Sequence, residues 1–421
     1  MKFSVLLAIV LLASGCGNSR SDDDDSPDGD SDADSDTDSD ADGDSDGDAD
    51  ADGDGDADPI HIRIGHLNIK EASTDKILDD DDEQVTAAAE VLGRFAADIV
   101  DLNEIQYDIE DLPVLGMPGA DDRTGPGGFD GGAENALRIA ERIHAAAPEV
   151  DYPYTLTTVG NSGYYWEGED YGEWSWELRG WGEWPGRFNT AVLSRYPILT
   201  DQVRVVHDFA WEDLPENRIQ QMRDENGMEV PEGFPLFEKA LNVVPIDLGP
   251  EVLWLVLLHP TASPAAFDPI NPYRNYDELR ALALFLDGEL PGVEPLPDGA
   301  RFVVSGDLNG DPDDGDGLDG AVAQVLDHPS LVAVFPTGAG TRGQNGEYNT
   351  FLGGCGNDDG ATVEDPTVRF QMQLDYVLAS ASIGPPTETG LFFPDFRTER
   401  EDFDLACRAS DHRFLYIDID L

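Results

Sequence analysis

Apolar residues recur along residues 59–421 with two different periods. Apolar or alternating runs of strand length occur in IHIRIGHLNI, DIVDLNEI, NTAVLSRYPI, VRVVHDF, EVLWLVLLH, RFVVSGDLN, QLDYVLAS and RFLYIDIDL. Apolar residues at helical spacing occur in EQVTAAAEVLGRFAA, ENALRIAERIHAAA and NYDELRALALFLDGEL. Strands that are apolar on both faces need helices to cover them, so the pattern predicts layered α/β packing in one domain.

Two segments between these elements carry additional signals. Asn275 and Glu278 have the spacing of a capping box, which predicts that the third helix begins at Asn275. Residues 160–187 are rich in Trp, Tyr, Gly and Glu, which indicates an irregular loop. This loop either lines a substrate cleft or packs its aromatic side chains against the body of the domain.

The first 58 residues do not share the pattern of the domain. Residues 1–16, MKFSVLLAIVLLASGC, have one Lys, a short apolar run and small residues before Cys16, which indicates an export signal. ASGC is similar to a bacterial lipobox, so we expect a lipidated Cys16; a simple cleaved signal is the alternative. Residues 17–58 are nearly all Asp, Ser, Gly and Ala, and they predict a disordered tether. DSDADG within it imitates the start of a calcium loop, but a closing Glu is missing.

The charge excess extends beyond the tether. The chain has 88 acidic and 25 basic residues, and residues 1–58 hold 20 Asp with Lys2 and Arg20, which leaves 68 acidic and 23 basic residues in the domain. The formal net charge of the domain is therefore −45. A surface of such charge repels polyanions, which argues against tight, sequence-independent binding to nucleic acid. Adaptation to salty surroundings is another interpretation of the same charge.

Two cysteines remain after the predicted signal. Cys355 and Cys407 form an even pair in an exported chain, which predicts a disulfide bond. Two buried free thiols are the alternative.

Polar residues recur where the predicted strands end. Each has an ordinary explanation as a turn former, a solvated strand end, a core histidine or a cap. Together they offer oxygen ligands for a divalent cation, a histidine with a carboxylate partner, and amide donors for a phosphoryl oxygen. Strand ends are also where open α/β sheets gather their ligands. These residues are Asn68, Glu104, His259, Asp307, Asn309, Asp375, Asp411 and His412.

The order of the motifs resembles a known family. LNI, DLNEIQ, AVLSRYPI, a strand that ends in His, GDLN, LDYVL and SDH follow one another along nearly the whole domain. This resembles the endonuclease/exonuclease/phosphatase superfamily, which includes deoxyribonuclease-like nucleases, sphingomyelinases and inositol-polyphosphate phosphatases. The segment HPTASPAAFDPINPYRNYDE is most similar to exported bacterial members. The resemblance implies a four-layer α/β sandwich, with two packed mixed sheets flanked by helices.

The resemblance also implies a metal site. Glu104 would be the principal metal ligand, with Asn68 and Asp411 nearby. Because the donors are oxygens, we expect Mg²⁺, and Mn²⁺ would also suit the site.

The remaining residues receive catalytic roles from the same resemblance. Asp307 would orient or deprotonate the attacking water, and Asn309 would contact the phosphoryl oxygen. His412, held by Asp375, would stabilise the pentacovalent transition state. His259 would be a second phosphate contact.

Two departures from the family pattern limit the interpretation. Pro260 follows His259 where many members have Leu or Thr, which leaves the exact role of His259 open. No cluster of Lys or Arg lies near the motifs, which argues against nucleic acid as the substrate.

The sequence therefore predicts a monomeric, exported, metal-dependent phosphoesterase that acts by in-line attack of an activated water. We expect a lipid anchor in an outer membrane or at the cell surface, and a small phosphodiester or phosphomonoester as substrate rather than long nucleic acid. An extracellular nuclease of the same superfamily and a non-catalytic binding module on this fold are the alternatives.

Overall fold

A computed structural model describes residues 59–108, 134–166, 178–313, 315–340, 350–352 and 371–421. The predicted signal with Cys16, the tether and Cys355 lie outside the described residues. The described strands are β1 (His61–Ala72), β2 (Ile99–Ile105), β3 (Tyr154–Thr157), β4 (Asn189–Ser194), β5 (Arg204–Val206), β6 (Leu241–Asp247), β7 (Val252–Leu258), β8 (Arg301–Asp307), β9 (Leu331–Val332), β10 (Phe351–Leu352), β11 (Gln371–Met372), β12 (Asp375–Ser380), β13 (Glu388–Leu391) and β14 (Leu415–Asp420). The described helices are α1 (Thr74–Leu78), α2 (Glu83–Phe95), α3 (Asn135–Ala146), α4 (Ile219–Asn226), α5 (Asn271–Leu286), α6 (Ala323–Leu326) and α7 (Arg400–Ala409).

Most of these strands form two six-stranded sheets. The first sheet has the order β13-β14-β1-β2-β4-β3, and the second has the order β5-β6-β7-β8-β12-β9. Each sheet is mixed, because β1 pairs with β2 and β7 pairs with β8 in parallel while the other described pairs within the two sheets are antiparallel. A separate ribbon joins β10 to β11.

The two sheets pack face to face with helices outside them. Ile64 and Val192 of the first sheet share an apolar cluster with Leu255 and Val303 of the second. A second cluster joins the other face of the first sheet to α2, α3 and α7, and a third joins the second sheet to α5. The predicted four-layer α/β sandwich is therefore confirmed. Among the described helices, none combines the length and apolarity that a membrane crossing requires.

The start of α5 differs from the prediction. The helix begins at Asn271, with Ile270 as its N-cap and Pro272 in the first turn, so the predicted capping box is wrong. Proline is favoured in a first turn because its missing N–H would have no partner there. Asn275 and Glu278 lie inside the helix and are fully buried.

Strand β6 was not predicted, and Pro245 explains why. A proline lacks the N–H that a strand uses, so its presence argues against an interior strand. In the sheet, β5 pairs with β6 only through Leu241, Asn242 and Val243, so Pro245 lies beyond the part of β6 that faces β5.

A glycine allows the second sheet to close tightly beside the polar strand ends. Gly306 of β8 has a φ of +146°, and a Cβ placed there would lie 2.0 Å from the carbonyl oxygen of Leu258. Only glycine permits this approach. It brings Asp307, which ends β8, beside His259, which follows β7.

Candidate active site

The structure brings together all eight polar residues that the sequence placed at strand ends. β1 and β2 supply one residue each from the first sheet. β7, β8 and β12, or the turns that directly follow them, supply four from the second sheet. The turn between α7 and β14 supplies the last two. In this order they are Asn68, Glu104, His259, Asp307, Asn309, Asp375, Asp411 and His412.

Asn68 links the two sheets at the centre of the site. Its Nδ2 donates to Glu104 Oε1 at 3.0 Å and to Asp307 Oδ2 at 3.0 Å. Its Oδ1 accepts from the backbone N–H of Lys70 at 3.0 Å. A side chain with bonds in three directions is fixed, so Asn68 sets the spacing between the two carboxylates.

The backbone around Glu104 is strained. Glu104 has a φ of +67°, and Lys70, Glu71 and Asn309 have φ values of 54°, 51° and 49°. Such angles are costly for residues other than glycine and persist where the surrounding structure enforces them, often at functional sites. The strain brings the backbone N–H of Glu71 to 3.0 Å from Glu104 Oε2.

The charge around Glu104 suits a divalent cation. Burial raises the pKa of Glu104, and the nearby carboxylates of Asp411 and Glu71 raise it further, against Asn68 and His412. Lys70 Nζ lies 3.3 Å from Asp411 Oδ2 and balances part of this negative charge. Carboxylate oxygens are donors that Mg²⁺ and Mn²⁺ prefer, so Glu104 and Asp411 fit the predicted metal site. Asn68 lies beside them but turns its Nδ2 to Glu104 and its Oδ1 to the backbone N–H of Lys70.

A second group could be read as a metal cage. Asp307, Asp375 and His412 each offer an atom within 4.8 Å of the others. However, His412 Nδ1 already lies 2.8 Å from Asp375 Oδ2. Burial alone would lower the pKa of His412, but the charges of Asp375 and Asp307 outweigh it and raise the pKa to about 10. The hydrogen bond between His412 and Asp375 and the 3.7 Å approach of His412 Nε2 to Asp307 Oδ2 link these three residues as a candidate acid–base group as well.

Within this group the ionisation of the carboxylates differs. Burial opposes the charge of Asp375, but the charge and hydrogen bond of His412, with help from His66, hold its pKa well below the usual range. Burial raises the pKa of Asp307. His412 Nε2 lies 3.7 Å from Asp307 Oδ2, so a cationic imidazole faces a carboxylate of raised basicity.

The turn after β8 fixes Asp307 and Asn309. The backbone N–H of Asn309 donates to Asp307 Oδ1 at 2.9 Å, and the backbone N–H of Asp307 donates to Asn103 Oδ1 at 2.9 Å. Asn309 Nδ2 donates to the carbonyl oxygen of Pro260 at 3.1 Å. Lys239 Nζ also donates to this carbonyl, at 3.2 Å. Pro260, the departure from the family pattern, therefore offers an acceptor that joins the turns after β7 and β8.

His259 stands on the other side of Asp307. Its Nε2 lies 3.7 Å from Asp307 Oδ2, and its ring is buried. Burial lowers its pKa well below the usual value, and the positive charges of Lys239, His412 and His66 lower it further. The imidazole is therefore neutral at neutral pH and can contact a phosphoryl oxygen as a hydrogen-bonding group.

Helix α5 supports the turns that carry His259 and Asn309. Asn275 Nδ2 donates to the carbonyl oxygens of Thr261 at 2.9 Å and Leu308 at 3.2 Å. Glu278 accepts from the backbone N–H groups of Glu238 at 2.6 Å and Thr261 at 2.7 Å. Asn275 and Glu278 of the RNYDE stretch in α5 thus act as a frame for the site, which the sequence did not indicate.

The sequence also missed a buried histidine. Burial alone would lower the pKa of His66, but hydrogen bonds to Asp101 and Asp375 raise it to about 9. The only sequence signal was its place in the first motif, two residues before Asn68.

The described residues of the loop at residues 160–187 pack partly against the body of the domain, and a role in lining a substrate cleft stays a prediction. Tyr164 is buried, and Trp166 packs edge-on against Phe234 with ring centroids 5.5 Å apart. Trp181 is 60% exposed, so aromatic surface also faces solvent. Arg187 Nη2 lies 2.8 Å from Glu71 Oε2, which places this end of the loop beside Glu104.

Cys407 lies in α7 and carries a disulfide bond. Arg413 Nη2 donates to its Sγ at 3.2 Å. Its predicted partner Cys355 lies outside the described residues, so the pairing stays a prediction.

Comparison with known proteins places the chain in a family. The profile described as the Endonuclease/Exonuclease/phosphatase family matches residues 76–412. No curated protein matches the chain in sequence. Among solved structures, the chain is similar to an endonuclease/exonuclease/phosphatase from Beutenbergia cavernae, with 17% identity, 86% of this chain and 72% of that chain covered, and a TM-score of 0.47.

Two further solved structures are similar to the chain. A family protein from Leptotrichia buccalis is 12% identical, with 86% of this chain and 100% of that chain covered and a TM-score of 0.46. Sphingomyelinase C from Streptomyces griseocarneus is 16% identical, with 85% and 99% covered and a TM-score of 0.43.

The family match spans most of the site. It includes Glu104, His259, Asp307, Asp375 and His412, and it confirms the resemblance that the motifs indicated. Members of this family are metal-dependent phosphoesterases and nucleases. The chain belongs to the Endonuclease/Exonuclease/phosphatase family.

Proposed function

We propose that this chain is a divalent-metal-dependent phosphoesterase that hydrolyses a phosphodiester or phosphomonoester outside the cytoplasm, by in-line attack of an activated water. The observation that carries the proposal is the position of Asp307 Oδ2. It lies 3.0 Å from Asn68 Nδ2, 3.7 Å from His259 Nε2 and 3.7 Å from His412 Nε2. A carboxylate with polar groups on three sides has the surroundings that a water nucleophile and a phosphoryl group require.

In this mechanism each side chain has one task. Asp307 orients the water and takes its proton, and burial favours this because it raises the pKa of Asp307. His412 stabilises charge that develops on the phosphoryl group, and Asp375 keeps its imidazole charged and oriented. Asn309 and the neutral His259 contact phosphoryl oxygens.

The metal site contributes charge. A divalent cation with Glu104 as its principal ligand, and with Asn68 and Asp411 nearby, would neutralise negative charge on the phosphoester and polarise its phosphorus–oxygen bonds. A module that only binds a ligand has no need of a base, a cationic imidazole and a carboxylate partner in one network. This argument favours the enzyme over the binding module.

A compact substrate fits the charges better than a long duplex. Among the described residues that border the site, Lys70 pairs with Asp411, Arg187 with Glu71, and Lys239 Nζ with Glu238 Oε2 at 2.6 Å. Cations that are already paired offer little attraction to a polyanion.

A panel of phosphoesters tests the proposal. Residues 17–421 would be assayed with phosphodiesters, phosphomonoesters and plasmid DNA, with Mg²⁺, with Mn²⁺ and with a chelator. We expect hydrolysis of a small phosphoester only with a divalent cation. Folded protein that hydrolyses no member of the panel, or that is equally active with the chelator, would overturn the proposal.

We also propose that Cys16 carries lipid and holds the enzyme at an outer membrane or cell surface. The support is the ASGC sequence and the absence of Asp directly after Cys16, where Gly17 and Asn18 follow. Cys16→Ser should release the protein or leave its signal uncleaved. Normal processing and unchanged membrane fractionation of this variant would contradict the anchor.

A further inference from the structure

A buried row of hydrogen bonds continues from the His412–Asp375 pair into the protein. Asp375 Oδ2 binds His412 Nδ1, and its other oxygen, Oδ1, lies 3.1 Å from His66 Nε2. His66 Nδ1 lies 2.8 Å from Asp101 Oδ2, and Ser305 Oγ donates to the same oxygen at 3.0 Å. Since both nitrogens of His66 face carboxylates, each ring nitrogen donates a hydrogen bond.

This row crosses between the two sheets more than once. Ser305 and Asp375 lie in β8 and β12 of the second sheet, and Asp101 and His66 lie in β2 and β1 of the first. His412 precedes β14, which is again in the first sheet. The distance between His412 and the end of β8 therefore depends on how the sheets are aligned, and the row ties them together beneath the site.

We propose that His66 is a positioning residue that holds the Asp375 carboxylate against His412. The proposal rests on the proposed function, because it assigns His66 an effect on turnover that acts through His412. With Oδ1 held by His66 and Oδ2 by His412, the carboxylate has one orientation. Without His66 the carboxylate can rotate, and the His412 ring loses the partner that aims its Nε2.

A role in stability alone explains the arrangement less well. Two carboxylates and a histidine that are each at most 1% exposed lose much hydration, and buried ion pairs are often no more stabilising than apolar residues of similar size. Fixing the geometry of a reactive group is what such a row achieves and apolar packing does not.

Two variants of residues 17–421 test the proposal. Each replaces His66 by a residue with a side-chain amide, and the two side chains differ in length. In His66→Asn the amide nitrogen replaces Nδ1, keeps Asp101 and cannot reach Asp375. In His66→Gln the amide nitrogen takes the place of Nε2 and still reaches Asp375. We expect His66→Asn to lower kcat by ~10–100-fold with little change in KM, the usual scale for a residue that orients a reactive one. His66→Gln should retain most of kcat, and His328→Gln, at another buried histidine, serves as the control.

A double variant separates positioning from general damage. If His66 acts through His412, His66→Asn should cause no further loss of kcat in a His412→Ala background. A purely structural role would make the two losses multiply. Full kcat in folded His66→Asn, equal losses in the Asn and Gln variants, or multiplied losses would overturn the proposal.

A spectroscopic readout keeps the inference testable without turnover. The chain has seven histidines, so the Nδ1–H signal of His412 can be assigned in ¹⁵N-histidine-labelled protein by its loss in His412→Ala. We expect this signal to shift and to exchange faster with water in His66→Asn but not in His66→Gln. An unchanged signal overturns the inference, whereas an inactive wild type with the expected signal change overturns only the proposed function. If His66→Asn does not fold, Asp101→Asn, which weakens the anchor of His66, is measured in the same assays. A lower kcat together with a shifted signal supports the proposal. The absence of both changes overturns it.

Discussion

His412 Nδ1 and Asp375 Oδ2 are 2.8 Å apart, although His412 precedes β14 of the first sheet and Asp375 begins β12 of the second. The pair joins the sheets at the point where Asp307 and Asn68 also meet. The candidate active site is therefore built on the contact between the sheets, and its geometry depends on their packing.

Asp307→Asn should lower kcat/KM by ~10²-fold or more, because the amide cannot take the proton of the water. His412→Ala should have an effect of similar size, because charge stabilisation in the transition state is lost. The measurement is steady-state hydrolysis of the best phosphoester at fixed Mg²⁺. Asp298→Asn, at an exposed aspartate before β8, is the control. A folded Asp307→Asn protein with near-native rates would remove Asp307 from the mechanism.

Glu278 should make stability depend on pH. Burial raises its pKa to about 7 from 4.5, against the charge of Arg274. The folded protein therefore keeps this proton at pH values where the unfolded chain has lost it, so the stabilisation is fully present below pH 4.5 and is lost as pH rises through about 7.

Urea unfolding at pH 5 and pH 8 measures this effect. Glu278→Gln has no proton to lose at this position. As the pH rises from 5 to 8, the free energy of unfolding of the wild type should therefore fall by up to about 3 kcal/mol more than that of Glu278→Gln. Glu289→Gln, at an exposed position of the same region, should show no such gain. A constant difference between wild type and Glu278→Gln would contradict the prediction.

Gly306→Ala should destabilise the domain by about 3 kcal/mol or more, because the new Cβ meets the carbonyl oxygen of Leu258 and φ is positive. Gly299→Ala is the matched control. It also has a positive φ, of +73°, but no atom lies within 4 Å of its Cβ, so only the backbone cost of about 1 kcal/mol applies. Chemical denaturation of both variants gives the comparison, and equal losses would show that the approach of β8 to β7 is not tight.

Plasmid DNA should be a poorer substrate than a small phosphoester at low ionic strength. The domain has a formal net charge of −45, and duplex DNA carries one negative charge per ~1.7 Å, so the two repel each other. Any DNA cleavage should improve as moderate salt screens the repulsion. The test is kcat/KM for both substrates at low and moderate salt with fixed Mg²⁺. If DNA is the best substrate and salt only weakens its cleavage, the nuclease alternative replaces the small-substrate proposal.

The sequence by itself determined many of the strands and helices and the polar residues at strand ends. Apolar periodicity is a local property, so β1, β8 and α2 could be located from their own residues. The polar residues at strand ends, such as Asp307 and Asn309, each have an ordinary explanation as turn formers, and they stood out only because such residues recur at one strand end after another.

Only the tertiary structure decided which buried polar groups support the site. His66 meets Asp375 across 309 positions of the chain, and Asn275 reaches Leu308 from inside a helix that was predicted to start at Asn275. A buried polar side chain must find a partner, but its identity depends on which strands pair and how the sheets pack. These are long-range relations that local pattern does not contain. The side chains that meet at the candidate site could therefore be picked out from the sequence, whereas the network that holds them could not.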